Sequence, residues 1–292
     1  MNCLRNQNGI ALIVTLLALA LITAMVVEFA YGVYTGTNNL YNWRDSQRLS
    51  IMAKSGINVT AKYLKTIPKD KFTELVEIPV ENPFEDFKGI INVRIEDEHA
   101  KFNLNALVFP TGDPNNDIIE ALKRLLEILS LDKNLADRIV DWIDSNSEAR
   151  LSDSEIEAKN SALNSVDELL LIKGVTREDY SKLLPYITVN KEERTHLIIN
   201  INAAQKPVLM CLSKDLDDNK AELIINKRRI EPFDEYKNVN TIIGSILSTQ
   251  ITLIYNGNIF SIKSTAASGG VKRIIETVLN TDKEKIEYWK EY

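Results

Sequence analysis

The chain has 292 residues, 45% of them hydrophobic, with a formal net charge of −6 and a pI near 5.2. That acidity argues against a general affinity for nucleic acid or anionic lipid. The two cysteines, Cys3 and Cys211, cannot staple a fold, because Cys3 falls in the short N-terminal leader.

Residues 1–9 form that leader, and Ile10–Val27 carries no charged side chain. Eighteen helical residues span roughly 27 Å, about the hydrocarbon thickness of a bilayer, so residues 10–27 are expected to cross a membrane. Arg5 on the N-terminal side predicts a cytoplasmic N-terminus, with the bulk of the chain outside. An ordinary secretory signal places small residues after its apolar run. Here Gly9 stands before the run, so cleavage would fall between Gly9 and Ile10 and leave a membrane-stored helix able to pack into a filament.

Helical character continues past Val27 to about Leu64, with no Pro and with Gly32, Gly36 and Gly56 as soft points. Leu49, Met52, Ala53, Ile57, Ala61 and Leu64 recur at helical spacing, an apolar stripe that calls for partners. Pro68, Pro79 and Pro83 end the helix, and the β-branched run Gly89–Glu96 predicts a strand. The span 28–105 reads as the helix continuation and the first part of an α/β domain.

From 106 to 240 the pattern is helical and acidic. Asp113-Pro114 reads as a cap followed by a first-turn Pro. Apolar stripes then run over Ile118–Leu129, Leu135–Ile143 and Val166–Ile172, and further helices are expected over Ala204–Leu212 and Lys220–Arg229. Over 241–292 β character returns. Ile251–Tyr255 and Ile259–Lys263 around Asn256-Gly257-Asn258 predict a hairpin, and Val271–Leu279 a last strand.

Two motifs bear on chemistry. Leu171-Ile172-Lys173-Gly174-Val175 has the form of a helix-hairpin-helix turn, whose backbone N–H groups can cradle a phosphate. Residues 106–240 hold 25 acidic and 18 basic side chains, and Glu178 and Asp179 follow the turn, so nucleic acid is not the expected partner. The second motif is acidic. Against the calcium-loop pattern Asp144 falls at position 1, Asn146 at 3, Glu148 at 5 and Glu155 at 12, with Asp141 on the preceding helix. Ala149 stands where the sharp turn needs Gly, so the loop is not an EF-hand. Clustered hard oxygens still suit Ca2+, and a solvated acidic loop is the plain alternative. His99 and His196, the only histidines, have no nucleophile at motif spacing, and no P-loop, H-E-x-x-H or G-x-S-x-G is present. No enzyme is expected.

The order of these pieces resembles the minor pseudopilin K family of type II secretion systems. The resemblance rests on Gly9-Ile10-Ala11-Leu12-Ile13, Phe102-Asn103-Leu104-Asn105, Asp141-Trp142-Ile143-Asp144 and Lys159-Asn160. It continues through Asn164–Leu169, Gly174, Ile201-Asn202-Ala203-Ala204 and Arg228 to Pro232-Phe233. Most pilins and pseudopilins carry Glu five residues after the cleaved Gly, whereas this family lacks it, and here the position is Val14.

The resemblance implies an α+β fold: a long pilin-like N-terminal helix on a small antiparallel sheet, with a large all-α insertion of two SAM-like units, about 106–198 and 199–240. It implies a non-enzymatic subunit at the tip of the periplasmic pseudopilus, partnered by minor pseudopilins I and J, other pseudopilus subunits, the inner-membrane assembly platform and a prepilin peptidase. Methylation of Ile10 after cleavage and calcium in the insertion are implied too. A type IV pilus or competence minor pilin, or a membrane-anchored helix-hairpin-helix DNA-binding protein, are the alternatives.

Overall fold

In the computed structural model the chain is described over residues 7–66, 76–85, 87–191, 193–234, 239–244 and 247–292. The leader residues Met1–Asn6 and Pro68 lie outside these. One helix, α1 (Gln7–Thr66), runs unbroken through Gly32, Gly36 and Gly56, about 90 Å at 1.5 Å per residue. Its first half is exposed on every side, and this is the one segment among the described residues long and apolar enough to cross a membrane.

Beyond that half the helix becomes one-sided. Leu49, Met52, Ala53, Ile57 and Leu64 are buried against a five-stranded antiparallel sheet. The sheet has the order β1 (Val76–Val80), β2 (Ile90–Asp97), β7 (Ile259–Ser268), β8 (Val271–Asn280), β9 (Lys285–Glu291). Alternate residues of β2, namely Ile91, Val93 and Ile95, face the helix, and Phe260, Ile262, Ala266, Ile275 and Leu279 complete that core. Gly56 is where helix and sheet come closest. A Cβ there would lie 2.3 Å from Ser264 Oγ, so Gly56 serves contact rather than softness.

The apolar stripe of α1 is therefore satisfied inside this chain and is not free for other subunits, which corrects the expectation that it seeks partners. On its outer side this part of the helix exposes Leu40, Tyr41, Trp43, Ile51, Val59 and Tyr63.

Between β2 and β7 the chain builds a second body with its own apolar core. Its helices are α2 (Asn116–Ile128), α3 (Asn134–Ile143), α4 (Arg177–Leu183), α5 (Lys206–Cys211), α6 (Asp218–Ile230) and α7 (Asn240–Ile243). Short parallel pairs join β3 (Phe102–Asn103) to β4 (Ile187–Thr188) and β5 (Leu197–Asn200) to β6 (Ile251–Ile254). This core also draws in Phe102 and Leu104 before residue 106, and Ile243 and Ile251 after residue 240, so packing carries the block past both expected bounds.

Four local expectations are corrected. Ile251–Ile254 pairs with β5 rather than with β7, so no hairpin forms across Asn256-Gly257-Asn258. That segment instead passes from one body to the other across the end of β2, where a Cβ on Gly257 would lie 2.2 Å from the Asp97 carboxylate. Val271–Asn280 is not the last strand, because β9 follows it. The Asp113-Pro114 cap is not used: Pro114 forms a bridge with Val108, and Asn115 occupies the cap of α2. Val166–Leu171 is a 3-10 turn with only Leu169 buried, not an α-helical stripe.

Candidate metal centre

The acidic loop leaves the end of α3. Asp141 sits in its last turn among Ile139, Val140 and Ile143, and Asp144 is its C-cap in extended conformation. Residues three apart at a helix end share one side, so the two carboxyls converge. The loop then returns Glu155, and single oxygens of Asp141, Asp144 and Glu155 lie within 4.8 Å of one another. Oxygens bound to calcium at 2.3–2.6 Å lie at most about 5 Å apart, so the three fit one ion.

Hydrogen bonding leaves one face of this cluster vacant. Asp141 Oδ2 accepts from the Arg150 backbone N–H at 2.9 Å and from the Ser154 hydroxyl. Asp144 Oδ2 accepts from Asn146 Nδ2 at 2.9 Å. Asp141 Oδ1, Asp144 Oδ1 and Glu155 Oε1 are buried and accept nothing, with the Arg150 guanidinium 3.3 Å from Asp141 Oδ1 as the nearest compensation. Burial, then the Asp141 charge, pushes the Asp144 carboxyl above its ordinary range. Burial and the charges of Asp141 and Asp144 do the same to Glu155. Three crowded carboxylates with free lone pairs are costly alone and become ligands when a hard dication enters.

The expected ligand set divides. Asp144 and Glu155 are brought together, and Asp141 is central rather than accessory. Asn146 is not at the convergence point, since its amide serves Asp144 and its oxygen accepts the Glu148 backbone N–H at 2.7 Å. Glu148 is exposed and contributes only that backbone group. EF-hand spacing misleads because this loop is organised from a helix end, not around a Gly turn. Sequence reasoning on spacing passed over Asn160. Its side-chain oxygen is buried without a hydrogen bond, its amide reaches the Asn146 carbonyl at 3.3 Å, and its φ is +51°.

The loop is braced from outside. Asp153 pairs with Arg138 of α3 at 2.9 Å and with Lys173 at 3.0 Å, and Lys159 pairs with Glu168 at 2.7 Å. Gly174, at φ +90°, lies beside the Arg138 side chain, where a Cβ would come within 2.9 Å of Nε.

A second buried polar cluster fastens the helical block to the sheet. Asn200 donates to Asp97 at 2.6 Å, His99 Nε2 meets Glu193 at 2.9 Å, and Asn103 donates to the carbonyls of Asn190 and Glu193. Burial lowers the His99 pKa, but the Asp97 and Glu193 carboxylates outweigh it and hold the imidazole up at about 9. A pKa raised on folding gives stabilisation that is complete below the ordinary value near 6.5 and fades as pH rises through about 9. A His99→Gln chain is expected to lose up to about 3 kcal/mol at pH 6 and much less at pH 10. Denaturant melts at the two pH values measure this, and an equal loss at both would show that His99 acts by packing alone.

At the N-terminus, Gly9, Ile10 and Val14 lie within α1 and face outward. Cys211 is buried in α5, and burial drives its thiol pKa up to about 12, so it is inert at neutral pH.

Two family models, both described as type II secretion system (T2SS), protein K, match residues 100–192 and 199–251, together half of the chain. Type II secretion system protein K of Pseudomonas aeruginosa is 26% identical, over 96% of this chain and 90% of that protein. The protein of the same name from Aeromonas hydrophila is 25% identical over 96% and 95%, and that of Dickeya chrysanthemi 25% over 82% of each. The solved GspK-GspI-GspJ complex of enterotoxigenic Escherichia coli contains a chain that superposes with a TM-score of 0.62 at 18% identity, over 87% of this chain and 99% of that one. At that identity the likeness establishes the fold: a long N-terminal helix, an antiparallel sheet and further helices.

Proposed function

The chain belongs to the type II secretion system protein K family and is a minor pseudopilin of that system, and from this premise we propose that it caps the tip of the periplasmic pseudopilus. The observation that carries the tip position is Val14. A Glu there would need the N-terminal amine of a neighbouring subunit, and a carboxylate left unpaired in an apolar stack is a costly charge. A subunit with Val at this position can end the stack. The minor-pilin alternative loses ground because both family matches fall on the helical block rather than on α1.

In this reading the chain spans the inner membrane once through residues 10–27, with a cytoplasmic N-terminus and a periplasmic C-terminal body. A prepilin peptidase removes residues 1–9, Ile10 is methylated, and the inner-membrane assembly platform extracts the helix into the filament. The role is structural and non-enzymatic. We read the helical block as two SAM-like units, and its acidic loop as a calcium site. Asp141, Asp144 and Glu155 would hold the ion. The ion would supply the positive charge that lets these buried carboxylates stay together.

The partners in this reading are the I and J minor pseudopilins, as in the solved complex. The surface offered to them is the exposed side of α1 with Tyr41, Trp43, Ile51 and Val59, since the opposite stripe is taken by the sheet. Co-purification of the full chain with I and J in detergent tests this. A ternary complex is expected, weakened by Trp43→Glu and Val59→Glu together. Failure to associate at micromolar concentration would overturn the tip role.

A further inference from the structure

The two bodies touch at a second place, away from the buried polar cluster. On β9 the side chain of Glu291 turns to α1, where it meets Ser50 and Lys54. Alternation therefore turns Tyr288, Lys290 and Tyr292 to the opposite face of the sheet. On that face Lys290 Nζ reaches Asp167 of the helical block at 3.0 Å, and Tyr180 donates to the other oxygen of Asp167 at 2.7 Å.

Asp167 sits in the 3-10 turn Val166–Leu171, and the same turn is gripped from its other side by the acidic loop. Its Glu168 takes Lys159 at 2.7 Å, and Lys173, just past the turn, takes Asp153 at 3.0 Å. Lys159 and Asp153 flank Glu155, one of the three converging carboxylates. A short, stiff turn thus joins the cation loop to the contact on β9. We propose that cation occupancy of the loop controls docking of the helical block on the outer face of the sheet, with the 166–171 turn as the coupling element.

The energetics suit a switch. The Asp167 and Lys290 side chains are 54% and 38% exposed, and ion pairs this exposed are individually weak, so the latch lies near balance. Crowded carboxylates without an ion push the loop apart and loosen Lys159 and Asp153, which frees the turn. An ion gathers the carboxylates and sets the turn against β9. Reciprocity follows: if the ion favours the latch, breaking the latch weakens ion binding by the same factor.

This inference rests on the calcium reading of the loop, so its test separates the two. Calcium uptake by the full chain in detergent is measured by titration calorimetry. Zero-length carbodiimide crosslinking with peptide mapping then reads the Lys290–Asp167 link in calcium and in EGTA. The Lys101–Glu96 pair, at 2.6 Å and outside the loop in sequence, serves as the internal standard. The expected result is at least about a two-fold higher Lys290–Asp167 yield in calcium, with a constant standard, and a Lys290→Ala chain that binds calcium about two- to five-fold more weakly. Calcium uptake with an unchanged yield, or with unchanged affinity in Lys290→Ala, overturns the coupling and leaves the metal site standing. No uptake at all overturns both.

Discussion

A Gly9→Val chain is expected to remain entirely at full length while still entering the inner membrane, a complete block of maturation with no loss of folding. A Cβ at Gly9 meets nothing within 4 Å, so the substitution disturbs no packing, and the apolar run from Ile10 to Val27 is untouched. Only access of a peptidase to the Gly9–Ile10 bond changes, because a branched side chain blocks close approach to the backbone. Intact mass of the purified proteins is the measurement. Wild type should lack residues 1–9 and begin at a methylated Ile10. A wild-type chain starting at Met1, or one cut beyond Val27, would sink the pseudopilin processing proposed for this protein.

The second large effect concerns calcium. With ion at about a hundred times its dissociation constant, selective binding to the folded state contributes about 2.7 kcal/mol, or roughly 5–10 °C in melting midpoint. Magnesium should do less, since it keeps its water and demands a tighter octahedron. Asp144→Asn separates ligand from scaffold. It removes one charge from the crowd formed with Asp141 and Glu155 and retains a side-chain oxygen facing Asn146. In EGTA the variant should melt at or above wild type, because like-charge repulsion falls. In calcium it should gain little. If Asp144→Asn responds to calcium as fully as wild type does, the three carboxylates are not the ligands.

Legibility was uneven along the chain, and the unevenness has physical causes. The helix from residue 7 to 66 was readable because an absence of Pro and a 3.6-residue apolar repeat are local facts. What the repeat could not say was which surface would cover it. Leu49, Met52 and Ile57 go to the chain's own sheet, and that depends on β7 and β8, some two hundred residues further on. Strand β9 was missed because Lys285, Glu287, Lys290 and Glu291 make it read as a polar tail. Its place at the sheet edge lets those charges meet partners such as Lys54 and Asp167.

The acidic loop shows the same division. Asp144 and Glu155 were visible as oxygen donors at loop spacing, yet spacing in sequence ranks Asn146 and Glu148 equally. Only the path of the backbone from the end of α3 turns Asp141 inward with them and spends Asn146 and Glu148 on the loop's own hydrogen bonds.

The sequence by itself determined the uncharged apolar run at residues 10–27, the Gly before it, the Val at position 14 and the acidic, non-basic character of the helical block. Composition and short-range periodicity are properties of neighbouring residues and survive without a fold. The tertiary structure alone decided the pairing of β6 with β5, the division into two apolar cores, and the polar fastening through His99 and Lys290. Each of these joins residues dozens to hundreds apart, where the entropy of closing the chain is overcome only by many contacts forming together, and no single segment carries that information.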